Sequence, residues 1–208
     1  TALYVRNIFT MKAGTLIAST DYHSEVSSDA AIETAGFEMA GGNISAQGGR
    51  YGILAKTYID IDINTTLTSG SITASGRNNG VYSSGRISVK NATLEAKTTN
   101  SSGDGIYADN GDITVSNSKI TVSNSAKGIY AKTGNVTISG STVNIAATDY
   151  GIQANGGNTT LGGTFTINAT GSKSTGIAAN RINLNGGTYN INAKGDAIYD
   201  SAQGMTYD

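Results

Sequence analysis

The stretch Gly105-Ile106-Tyr107-Ala108 … Ile113-Thr114-Val115 … Ile120-Thr121-Val122 … Gly128-Ile129-Tyr130-Ala131 decides the fold of this chain. Its first four residues return unchanged at its end. Between them stand two apolar–polar–apolar triplets, the period of a strand with one buried face. The next copy repeats the plan, with Val136-Thr137-Ile138, Val143-Asn144-Ile145 and then Gly151-Ile152-Gln153-Ala154. Three strands of three or four residues, joined by Gly/Ser/Asn corners, are too short for helices and make one triangular coil.

Working outward, the four-residue anchor recurs at Gly176, and looser copies begin at Ala2, Ala31, Gly52, Gly80 and Ala197. The 166 residues from Ala31 to Ala197 fall into seven intervals of about 24, within the range that marks solenoids. One coil cannot bury its own Ile and Val. Coils piled at about 4.8 Å enclose a continuous aliphatic column. Ile106, Val115 and Ile120 are expected inside, beneath Ile129, Ile138 and Val143. Tyr107, Thr114 and Thr121 are expected outside. Nine anchors predict about nine coils of three short strands in a single domain over residues 1–208, roughly 40 Å long. The sense of parallel crossovers predicts a right-handed parallel β-helix. Gly and Ala share the anchor slot, so close packing at a corner explains the small residue better than a positive φ, which Ala avoids.

Composition agrees. Average usage predicts roughly ten prolines in such a length, yet the chain has none. That suits a fold in which nearly every backbone N–H donates to a neighbouring strand. Disorder is excluded by the regular recurrence of Ile and Val. A formal net charge of −1 gives no basic stripe for nucleic acid. Without cysteine there is no disulfide or thiol chemistry, and no apolar run reaches the roughly 20 residues of a membrane span. The sequence begins at Thr1 and its pattern is already running there, so flanking segments of a longer secreted or surface protein are expected.

Several groups of residues carry candidate chemistry. Tyr82, Tyr107 and Tyr130 hold one outward slot in successive coils, with Tyr4 and Tyr199 in the same slot further away; they form either a platform for sugar rings or a stabilising ladder of stacked rings. Rings one coil apart would stack face to face and show solvent their edges, which favours the ladder. Asp60, Asp62 and Asn64 project from one face of the long repeat between Gly52 and Gly80 and offer oxygen ligands suited to Ca²⁺, although such a site needs six to eight oxygens; the competing reading is a solvated strand face. Asp104, Asp109 and Asp112 fall close together, and an exposed ion pair between Arg86 and Asp112 is expected to account for part of that group. Ser88, Thr114, Thr137 and Thr160 form one hydroxyl column. The sole histidine, His23, lies between Asp21 and Glu25 in a polar stretch expected to protrude as a loop. No Cys/His metal spacing, nucleophile elbow or phosphate-cradling loop is present.

At the coils reading Gly-Ile-Tyr-Ala … Gly-Asp-Ile-Thr-Val-Ser-Asn-Ser-Lys-Ile-Thr-Val, from about Gly80 to Ile191, the chain resembles the secreted bacterial carbohydrate-binding β-helix proteins. Autotransporter passengers and surface adhesins have similar coils. The resemblance implies a non-catalytic binding or adhesion module outside the cell or on its surface, an acidic plant polysaccharide or a cell-surface glycan as partner, and bound Ca²⁺. This chain departs from that pattern in carrying Tyr where a charged residue often stands and in being less acidic. The clustered Asp, His-Gly and Arg-x-Lys segments of β-helix galacturonases are missing, so an enzyme is not expected. A structural stalk segment is the alternative.

Overall fold

The computed structural model describes residues 1–21, 29–62 and 70–207. It is an all-β parallel solenoid of about eight turns, and no helix occurs among the described residues. Each coil contributes to three faces. On the first face, Leu3, Ile32, Ile53, Val81, Ile106, Ile129, Ile152, Ile177 and Ile198 stack in one unbroken register. The second face stacks Phe9, Phe37, Ile59, Ile87, Ile113, Val136, Thr159 and Ile182. The third stacks Leu16, Ile44, Ile72, Leu94, Ile120, Val143, Phe165 and Tyr189. The expected nine anchors and the eight turns agree, because the last coil supplies strands to the first and second faces only.

Burial follows the alternation. Ile106, Val115, Ile120, Ile129, Ile138 and Val143 are all buried, while Thr114 is exposed and Tyr107 and Thr121 are half-buried. Each fully buried aliphatic side chain contributes about 1.5–3 kcal/mol. Aromatic rings enter the column in pairs: Phe9 on Phe37 at 5.2 Å, and Phe165 on Tyr189 at 5.1 Å. The Tyr189 hydroxyl reaches the core rim and donates to the Leu161 carbonyl at 2.6 Å.

The anchor glycines are small for the reason expected. A Cβ on Gly128 would lie 2.4 Å from Ile145 Cγ2, and one on Gly151 would lie 2.2 Å from Ile167 Cγ2. The missing methyl makes room for the inward side chain at the end of the third-face strand of the coil that the anchor opens. Positive φ recurs in register at a different corner, the one between the second and third faces, and among the described non-glycine residues occurs elsewhere at Asn124 and Gln203. Asn91 (55°), Asn117 (48°) and Gly140 (56°) occupy this corner in three successive coils. Asn and Gly are the residues that accept this region at least cost. Beside it, the Ser118 and Ser141 hydroxyls accept backbone N–H groups of Ala92 and Ser118, respectively, and each donates to a carbonyl two residues back.

One expectation needs correction. The strands are not all short and separate: Lys119–Ala131 runs from the third face into the next first face, and Val136–Ala154 passes through all three. The ladder continues around the corners through local register shifts between Val122 and Lys127 and between Ile138 and Ser141. A bulge bends a strand without ending its pairing. The polar stretch containing His23 and Glu25 lies largely outside the described residues, as does Asn64.

Candidate functional site

The outward slot of the first face is the most differentiated surface. In order along the solenoid it holds Tyr4, Glu33, Leu54, Tyr82, Tyr107, Tyr130, Gln153, Ala178 and Tyr199. The ladder pairing brings together Tyr82, Tyr107 and Tyr130 as the repeat predicts. Tyr107 and Tyr130 stack at 4.9 Å with planes 10° apart, whereas Tyr82 meets Tyr107 edge-on at 5.3 Å and 73°. Tyr51, from the neighbouring outward column, closes the group 5.6 Å from Tyr82.

Charges beside the ladder are paired off. Lys127 sits 4.3 Å from the Tyr130 ring centre and 3.6 Å from Asp104. Burial pushes the Asp104 carboxyl above its ordinary range, with Lys127 opposing the shift. Asp109 accepts from Lys132 at 2.7 Å and from the Tyr107 hydroxyl at 2.8 Å, and these two bonds hold its carboxyl below the ordinary range. Burial first, and Asp109 second, push the Tyr107 phenol upward. Asp112 lies apart from both, accepting from Asn135 backbone and side chain at 2.7 and 3.1 Å. The three aspartates therefore do not converge on one point. The expected Arg86–Asp112 ion pair is replaced: the Arg86 guanidinium lies 4.9 Å over the Tyr58 ring. A flat cation gains more over an aromatic face than beside an exposed, already hydrogen-bonded carboxylate.

Asp60 and Asp62 project from the second face, flanked in the ladder by Glu38, Ser88 and Lys90. Lys90 binds Asp62 at 3.2 Å, and Glu38 accepts from Tyr58 at 2.6 Å. Among the described residues, no group of three or more His, Cys, Asp or Glu gathers as a metal site. Asn64, the third member of the expected Ca²⁺ set, lies outside the described residues. The hydroxyl column Ser88, Thr114, Thr137 and Thr160 is in register. It continues through Asn183, whose side chain donates to Thr160 at 3.4 Å and accepts from Thr206 at 2.8 Å.

Beyond Tyr130 the outward slot changes character. Gln153 and then Ala178 replace the rings, and Tyr199 resumes them 53% exposed. The gap is a cleft of about 250 Å³ between Gln153 and Tyr199, flanked by Tyr150, Asn155 and Asn180. Sequence reasoning placed Tyr199 in the slot but missed the cleft. Its signal was there, in the one small residue among large ones. A wider hollow of about 590 Å³ at the corner between the third and first faces is lined by polar residues, including Arg77, Asn100 and Asn124, and has no aromatic wall.

The first face thus carries aromatic and amide side chains aligned in register along the solenoid. The sequence profile of a family described as "Carbohydrate-binding domain-containing protein" matches residues 1–171 and, in a second overlapping placement, residues 64–206. The chain belongs to that family. No curated protein matches it, and no solved structure does.

Proposed function

We propose that this chain is a non-catalytic module that binds polysaccharide outside the cell, with the glycan lying along the first face. The observation that supports this reading most directly is the in-register outward slot of that face. Its spacing of one coil is close to the length of one pyranose residue, so successive sugars of an extended chain meet successive coils. Tyr82, Tyr107 and Tyr130 stiffen the face and present ring edges. Aromatic and amide side chains are the groups that recognise sugars, by contact with apolar C–H faces and by hydrogen bonds to hydroxyls.

The face-to-face packing of Tyr107 and Tyr130 favours a second reading, a stalk whose ladder serves rigidity alone. Native electrophoresis through gels containing dissolved polysaccharide separates the two. A binding module is slowed by at least one of xyloglucan, galactomannan, mixed-linkage β-glucan or polygalacturonate. A stalk migrates identically in all four and in the blank gel.

A further inference from the structure

From the cleft at Ala178, we infer a subsite for one neutral pyranose, which takes the place of the aromatic ring that this coil lacks. The inference rests on the carbohydrate-binding reading and specifies it. In the coils below, Tyr107 sits between Tyr82 and Tyr130 and makes ring contacts on both sides. At Ala178 the same position holds a methyl group, with Gln153 one coil below and Tyr199 one coil above. The resulting space is about 250 Å³, smaller than the ~300–1,000 Å³ of drug-sized ligand sites and on the scale of a single sugar ring.

Two features make this more than a surface dip. The ring contacts of the slot end at Tyr130 among the described residues, so Tyr199 makes no ring–ring contact there and stands 53% exposed beside the gap. An aromatic face attracts the C–H face of a pyranose. On the opposite wall, Gln153 Oε1 is buried and has no hydrogen-bond partner. The Gln153 side chain lines the cleft, and rotation of its terminal amide would bring a hydrogen-bonding group to a sugar hydroxyl, which both donates and accepts. Asn155 and Asn180 add further amides at the rim, and the Ser201 hydroxyl donates to Asn180 Oδ1 at 3.2 Å.

Charge sets the class of sugar. None of the residues lining the cleft is ionisable to a cation or a carboxylate at neutral pH. Asp200 beside it already accepts backbone N–H groups of Ile182 and Gly204 at 3.0 and 3.3 Å. Further along the face, Lys127 and Lys132 are each engaged by an aspartate. A uronate carboxylate entering here would lose its water without meeting a counter-ion, which is strongly unfavourable. The subsite therefore selects a neutral pyranose over a uronic acid.

The test uses the same electrophoresis on the full chain and on Ala178→Tyr and Tyr199→Ala. Ala178→Tyr fills the gap with the side chain that its slot holds in the ladder coils, and Tyr199→Ala removes an exposed ring. Both are expected to keep the wild-type far-UV dichroism and urea midpoint, which are measured first. The expected result is that xyloglucan, galactomannan or β-glucan slows the wild type, polygalacturonate does not, and each variant weakens that retardation tenfold or more. Undiminished retardation of folded Ala178→Tyr overturns the subsite and leaves carbohydrate binding standing. Retardation by polygalacturonate alone overturns the choice of a neutral sugar. No retardation of the wild type in any gel overturns the subsite and the carbohydrate-binding reading together.

Discussion

The lower and upper parts of the first-face slot are built from the same backbone and differ in what fills them. From Tyr82 to Tyr130 the slot is closed: rings touch rings, the Tyr107 hydroxyl is held by Asp109, and each lysine has its carboxylate. From Gln153 to Tyr199 it is open: a methyl group replaces a ring, and an amide oxygen is left without a partner. The difference teaches that a repeat scaffold gains a site by leaving something out. On the proposed reading, the satisfied coils supply rigidity and the open one supplies affinity.

The sharpest way to break this contrast is Tyr107→Ala. Each aromatic pair contributes about 0.5–1.5 kcal/mol beyond its buried area, and Tyr107 takes part in two. Urea denaturation is expected to show a loss of about 1–3 kcal/mol, with polysaccharide retardation of the folded variant reduced less than in Ala178→Tyr. Loss of retardation without loss of stability would reverse the roles assigned to the two halves.

A second variant shows that an orphaned polar atom is not in itself a site. Thr159 sits in the second-face core fully buried, and its hydroxyl, like Gln153 Oε1, has no partner. No cleft reaches it, so no ligand can relieve it. Thr159→Val keeps the shape and removes the unsatisfied hydroxyl, and is expected to raise stability by about 1 kcal/mol with binding unaltered. A drop in the urea midpoint would mean that the hydroxyl is satisfied in solution.

The smallest expected effect concerns the closed half alone. The bonds from Lys132 and Tyr107 hold the Asp109 carboxyl below its ordinary range, so its charged form favours the folded state. That contribution is complete above the ordinary carboxylate pKa and fades as pH falls through the lowered one. Urea midpoints measured from pH 5 downward are expected to fall less steeply in Asp109→Asn than in the wild type. Equal slopes would show that the pair is screened by solvent.

The period, the three faces and the inward residues were legible in the sequence, because burial alone dictates the alternation of Ile113-Thr114-Val115 and its copies. The role of the anchor glycines was legible too, since Ala at position 31 and at position 197 argued for close packing over a left-handed turn. The left-handed corner itself was not read. Its signal is divided between Asn91, Asn117 and Gly140, two residue types that share one backbone region and no side-chain chemistry. Register likewise brought Arg86 and Asp112 into one column, yet register fixes only where a side chain starts. The Arg86 rotamer was decided by the Tyr58 ring, across the coil boundary. The cleft was half legible: the slot order exposes Ala178 as a gap, but the unsatisfied amide beside it depends on atomic packing that no string of letters carries.

The unbroken registers have a consequence for ancestry. Each coil touches only its neighbours, and the anchors at Gly105 and Gly128 present the same surface upward and downward. Excising the 23 residues between one anchor and the next would leave Gly128 resting on Gly80 much as Gly105 does now. Duplication and deletion of whole coils are therefore almost frictionless steps for such a gene, and the length of the rod can drift between lineages while its cross-section stays fixed.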